Sequence, residues 1–217
     1  LEEAELLLGL QRLPLEGVYA PAGYLDEVSG FAPRTFRLSP LDAALMDPAQ
    51  RLFLRTAEAC CNHAGGRRLM EGVTRVGVFA AGGQDSHYLA ALEAAYPGQH
   101  ERIFALNVPS NTATRLGYLL DWRGPAMLVD TACSSGLVAV HLACRSLREG
   151  ACDMALAGGA RVITDPRRRH MPILSPSGAV RAYDRDADGT CAGEGSVVFL
   201  LKPLDAALRD GNPVHAV

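Results

Sequence analysis

The sequence predicts a layered α/β fold, and three observations carry the prediction. Four short apolar runs, at residues 76–80, 126–129, 154–159 and 196–201, have the length and composition of strands. Longer stretches with helix-forming composition separate the first three and another follows the fourth, the alternation that builds a sheet with helices packed on its faces. The third run, Met154-Ala155-Leu156-Ala157-Gly158-Gly159, is small or apolar at every position, which marks a strand buried on both faces.

Residues 1–10 mix Glu with Leu as a short amphipathic helix does, and residues 11–37, rich in Pro and Gly, predict an irregular packed segment. Ser39-Pro40 has the form of an N-cap followed by Pro at the first helical position. Asp47-Pro48 restarts a second helix, which Gly65-Gly66 ends. A further helix is predicted over 110–120, with Ser110 or Asn111 as its cap. The strand at 126–129 reads as buried from its apolar content, and a helix follows from about Leu137 to Glu149-Gly150. Leu137, Val138, Ala139, Val140, Leu142, Ala143 and Cys144 leave that helix little polar face, so it is expected at the centre of the molecule. Residues 164–189, polar and rich in Pro, Arg and Asp, predict a long loop, and residues 203–209 a closing helix.

Composition narrows the function. The chain is 48% apolar and 21% charged, as globular proteins are, and its net charge of -3 gives no electrostatic basis for binding nucleic acid. No apolar run approaches membrane-spanning length, and no basic-then-apolar leader opens the chain, so no membrane association is expected. Of the six cysteines, no two have the spacing of a zinc knuckle or a redox motif. A core of this size needs no disulfide staples, and a reduced, cytoplasmic setting is expected, with no metal and no bound cofactor. The opening at Leu1 and the strand-like close at Val214-His215-Ala216-Val217 suggest cuts, so residues 1–217 read as part of a single domain truncated at both ends.

Cys133 carries the sharpest chemical signal. It falls between the 126–129 strand and the helix that begins near Leu137, on a strand-to-helix corner. Unpaired N–H groups and a partial positive charge gather at a helix N-terminus, which favours a thiolate and offers a backbone N–H to an oxyanion. A buried structural cysteine is the bland alternative. The small polar neighbours Thr131, Ser134, Ser135 and Gly136 favour a nucleophile instead.

The run Asp130-Thr131-Ala132-Cys133-Ser134-Ser135 resembles the active-site signature of β-ketoacyl synthases, especially the ketosynthase domains of modular polyketide synthases. Asp47-Pro48-Ala49-Gln50-Arg51, Arg115-Leu116-Gly117-Tyr118, Leu156-Ala157-Gly158-Gly159, Leu174-Ser175-Pro176-Ser177-Gly178, Asp186-Ala187-Asp188-Gly189 and Gly193-Glu194-Gly195 follow in family order. The resemblance implies a thiolase-like fold of two similar α/β halves, this chain being the amino-terminal half with its first strand missing. It also implies that Cys133 takes an acyl group from the phosphopantetheine arm of an acyl carrier protein. Two histidines from the carboxy-terminal half then assist decarboxylative condensation with a malonyl-type extender. Homodimerisation through the strand at 153–162 is a further implication.

The chain departs from the family in one important respect: none of its six histidines lies in the family's histidine motifs. Two readings therefore stay open, a condensing enzyme completed by the other half and a non-catalytic half kept for assembly or carrier-protein docking. Rival motifs are weaker. Asp184-Arg185-Asp186-Ala187-Asp188-Gly189 imitates half a calcium loop, but position twelve is Gly195, with Glu194 one place short. Arg167-Arg168-Arg169-His170 reads first as a solvated loop cluster and second as a carrier-protein contact. Cys60-Cys61-Asn62-His63 reads as the end of a helix and Gly82-Gly83 as a turn.

Overall fold

The structure, a computed structural model, describes residues 22–66, 72–83, 86–165 and 172–217. The predicted helix at 1–10, the first part of the irregular segment and the 167–170 cluster lie outside these residues. Strand β1 (Ala22–Gly23) and the 3₁₀ turn Pro33–Phe36 precede helices α1 (Pro40–Ala44) and α2 (Pro48–His63). Then come β2 (Val76–Ala81), α3 (Ser86–Ala95), α4 (His100–Leu106), α5 (Asn111–Leu120) and β3 (Ala126–Val129). Helix α6 (Ser135–Arg148), β4 (Met154–Arg161), β5 (Ala192–Gly193), β6 (Gly195–Leu201) and α7 (Leu204–Arg209) complete the order. Four strands form one sheet, β3-β2-β4-β6, while β1 and β5 pair apart from it. β3 and β4 run parallel to β2, and β6 runs antiparallel to β4.

The predicted helix starts are set by their caps. Ser39 Oγ accepts from the Asp42 N–H at 3.0 Å and Asp47 Oδ1 from the Ala49 N–H at 2.7 Å, each with Pro at the next position. Ser110 stands before α5 without a side-chain capping bond. α3 and α4 lie where no helix is expected. Tyr88, Leu92 and Ile103 close around Leu45 at the α1–α2 corner, so packing rather than a terminal signal defines them.

Alternation along β2 and β4 builds two cores. Val76, Val78, Met154 and Leu156 face Phe53, Leu54, Ala113 and Trp122, with α2 and α5 against this side of the sheet. Phe79, Ala155 and Ala157 turn the other way, onto Ala139 and Ala143 of α6. Small residues on both partners let α6 lie close to the sheet. β4 is buried from Met154 to Gly158, as its composition predicts.

Three expectations need correction. α6 is not buried all round: Ala139 and Ala143 are covered, but Leu137 is 80% exposed. One helix covers the sheet with one face only, and among the described residues no layer packs on its other side. β3 is buried only at its end: it is an edge strand paired only with β2, and Ala126 and Met127 are exposed while Val129 is buried. The proposed dimer strand, residues 153–162, holds β4, whose two edges are already used by β2 and β6. It has no free hydrogen-bonding edge for a second copy. Among the described residues, only β3 and β6 keep an open edge in this sheet.

Glycine at 158 is a packing requirement, since a Cβ there would overlap the Val197 carbonyl oxygen. Gly158→Ala is therefore expected to lose about 1–3 kcal/mol of stability. Gly136→Ala, whose Cβ would meet nothing within 4 Å, should leave stability unchanged or raise it by about 0.5–1 kcal/mol. Parallel denaturant titrations test the pair; equal midpoints would show that β6 yields to the added methyl.

Candidate active site

Only residues 130–134 separate β3 from α6, and the chain must reverse within them. It does so through Ala132, which adopts φ 54, a left-handed conformation costing a non-glycine residue roughly 1–2 kcal/mol. The surrounding side chains hold it there. Ser135 Oγ accepts from the Thr131 N–H at 2.9 Å and donates to the Ala132 carbonyl at 2.7 Å. Ser134 Oγ donates to the Thr131 carbonyl at 2.8 Å and lies 2.9 Å from Thr131 Oγ1, while Asp130 Oδ1 accepts from the Ala132 N–H at 3.2 Å. The small polar residues that single out this corner in the sequence are thus its braces.

Cys133 follows directly, in a 3₁₀ turn (Ala132–Ser134) leading into α6. It is exposed to a cleft of about 830 Å³. Among the described residues no acceptor binds the Cys133 N–H, so this donor remains available beside the thiol. Gly82 and Gly83 from the end of β2, Gly158 and Gly159 from β4, and Leu137 and Val140 from α6 form the walls. Val197 and Phe199 of β6 add apolar lining. Three charged residues reach the cleft: Asp47, Asp130 and Arg161. None of the described histidines does.

Two arrangements nearby could not be read from local sequence. Glu194 ties three segments together: its carboxylate accepts from the Leu25 N–H at 2.8 Å and the Ile163 N–H at 2.9 Å, and its own N–H donates to the Gly23 carbonyl at 2.7 Å. Ser175 Oγ donates to Asp188 Oδ1 at 2.6 Å and lies 2.9 Å from Ser177 Oγ, clasping the predicted long loop. The Ser175 and Ser177 hydrogen bonds hold the Asp188 carboxyl below its ordinary range. Within the imitation calcium loop, Asp184 accepts from the Asp186 N–H, and no cluster of metal-ligating side chains forms among the described residues. No described helix is long and apolar enough to cross a membrane.

A family model described as the β-ketoacyl synthase N-terminal domain matches residues 12–207. A non-reducing polyketide synthase, ausA of Aspergillus calidoustus, is 40% identical over 216 residues, which cover 96% of this chain and 8% of that protein. The polyketide synthase ThaG of Burkholderia thailandensis is 39% identical over 199 residues, 90% of this chain and 4% of its own length. The chain therefore spans only a small fraction of such relatives. Among solved structures, ketosynthase twelve of the bacillaene polyketide synthase of Bacillus amyloliquefaciens superposes with a TM-score of 0.77 at 28% identity, covering 91% of this chain and 36% of that one. An oxazolomycin ketosynthase domain of Streptomyces albus gives 0.75 at 35% identity, covering 88% and 35%. The layered α/β architecture is thus the thiolase-like one that the motifs imply.

The other thiols offer a control for Cys133. Burial pushes the Cys61 thiol up to about 12, with further contributions from Cys60 and Glu58, and raises Cys60 and Cys152 as well. At pH 7.5, limiting iodoacetamide should label Cys133 well ahead of Cys60, Cys61 and Cys152, as read by peptide mass spectrometry. Faster labelling of any of those three would remove Cys133 as the candidate nucleophile.

Proposed function

The chain belongs to the β-ketoacyl synthase family, and from that premise we propose that it is the nucleophile-bearing, amino-terminal part of a ketosynthase. The observation that carries the reading is the exposed Cys133 thiol, held on a braced turn beside its own free N–H at the start of α6. Cys133 Sγ bonds to the carbonyl carbon of an acyl thioester on the phosphopantetheine arm of an acyl carrier protein. Its proton passes to the departing pantetheine sulfur as the old C–S bond breaks. The Cys133 N–H donates to the oxyanion formed on the way, and the N-terminus of α6 adds to the stabilisation. A malonyl-type extender then loses carbon dioxide, its electron pair becomes an enolate, and the enolate carbon bonds to the acyl carbonyl as Cys133 thiolate leaves. The product is a β-keto thioester.

The described cleft holds no histidine, and in this reading the carboxy-terminal half supplies the two that stabilise the enolate. The apolar surface of Leu137, Val197 and Phe199, respectively 80%, 57% and 51% exposed, supports docking of that half over the cleft. A cytoplasmic setting and a homodimer complete the proposal. Any sheet-to-sheet contact between copies has to use an edge strand rather than β4. A second reading, a non-catalytic half acting in assembly or carrier-protein docking, is favoured by the lack of a described histidine in the cleft.

In the full-length protein, Cys133→Ala should abolish both the acyl-enzyme and the β-keto product. The 217-residue chain alone should still be acylated at Cys133, while condensing at least about 100-fold more slowly, since one missing oxyanion donor typically costs that much. Mass spectrometry of acyl-enzyme and product measures both. Condensation that survives Cys133→Ala would remove Cys133 as the nucleophile. Absence of acyl-enzyme and product in the unsubstituted protein would favour the non-catalytic reading, and full turnover by the chain alone would remove the need for the other half.

A further inference from the structure

The cleft beside Cys133 is mostly apolar, yet it contains one cation. Arg161 ends β4, where its ladder partner on β6 is Gly195. Side chains alternate along a strand, so Arg161 shares a face with Ala155 and Ala157, which pack under α6. That is the face of the sheet on which Cys133 lies, and both residues line the same cleft. Arg161 is exposed, and among the described residues no hydrogen bond or ion pair engages its guanidinium. Gly195, opposite it, has no side chain to screen it.

The two acids of the cleft are engaged with backbone. Asp47 Oδ1 accepts from the Ala49 N–H at the start of α2, and Asp130 Oδ1 accepts from the Ala132 N–H within the turn. Arg161 is therefore the cation left for a ligand among the described lining residues. The other residues lining the cleft near the end of β4 are apolar or small, among them Val197, Phe199, Gly159 and Ala160. A ligand matching this surface has a reactive carbonyl at the thiol, a hydrocarbon body and an anionic group further along.

Resting on the acyl-transfer reading above, we infer that Arg161 is a specificity-determining residue that selects acyl thioesters carrying a carboxylate on the acyl group. The guanidinium presents paired N–H donors that match a carboxylate, and a neutral chain gains nothing from it. The carboxylate can come from an ω-carboxyacyl chain destined for Cys133 or from a malonyl-type extender; the chemistry of recognition is the same.

The test compares isosteric thioesters in the full-length protein. Hexanoyl and adipoyl N-acetylcysteamine differ at the chain end and carry no phosphate, and acylation of Cys133 by each is followed by mass spectrometry. Arg161→Met should slow adipoyl transfer roughly 10-fold, the span between an exposed ion pair and a charge-assisted hydrogen bond, and leave hexanoyl transfer unchanged. Arg161→Lys should recover part of the loss. A parallel arm measures carbon dioxide release from malonyl N-acetylcysteamine: slowing there alone assigns the carboxylate to the extender, and slowing in the adipoyl arm assigns it to the acyl chain. Equal effects of Arg161→Met on the hexanoyl and adipoyl arms with no slowing of malonyl decarboxylation, or an effect seen only with phosphate-bearing coenzyme A thioesters, would overturn this inference while leaving the acyl-transfer reading intact. Failure of every thioester to acylate Cys133 would overturn both.

Discussion

The site depends on how abruptly the chain turns between β3 and α6. Five residues must end an edge strand, reverse direction and begin a helix, and the turn needs a left-handed alanine to do so. An isolated peptide would relax out of that conformation. Here Ser135 fixes it from inside the first turn of α6, donating to one peptide of the turn and accepting from another. Helix and turn are therefore one unit: α6 cannot fray at its start without releasing Ala132, and Ala132 cannot relax without moving the Cys133 thiol. The anchorage continues through Ala139 and Ala143, which fix α6 to β4 and so fix the thiol relative to the cleft wall.

Much of this was legible because the relevant forces are local. Ser39-Pro40 and Asp47-Pro48 announce α1 and α2 through side chains that bond within three residues. β4 declares its double burial because every residue from Met154 to Gly159 is small or apolar. Cys133 stands out for similar reasons, its neighbours being the braces themselves. What escaped the sequence depends on partners far along the chain. The apolar run of β3 looks the same in a central strand and at an edge, and only the pairing order decides. The nearly all-apolar α6 could not reveal that one of its faces lies open. Helices α3 and α4 are defined by contacts with Leu45, which lies about 40 residues before the first and about 55 before the second.

The cleft shows the same division. Asp47 opens α2, Arg161 closes β4 and Phe199 lies on β6, and no spacing rule brings them beside Cys133. The sheet does, by ending three strands around one corner. Glu194 likewise sits in a motif legible in the sequence, yet its task of joining residues 23–25, residue 163 and the start of β6 appears only in three dimensions. The motif order shows family membership and the topology gives it a shape.

The placement of β4 between β2 and β6 also bears on how the molecule is made. Val76 pairs with Met154, about 80 residues later, and closing a flexible loop of that length costs about 4 kcal/mol beyond a constant term. Until β4 emerges during synthesis, β2 has only the short edge strand β3 as a partner in the main sheet, and its remaining edge stays open. The residues of the turn and its braces are all synthesised before β4, the strand that anchors α6. Cys133 is thus formed chemically early but positioned late, so the thiol acquires its cleft only in the final, non-local step of assembly.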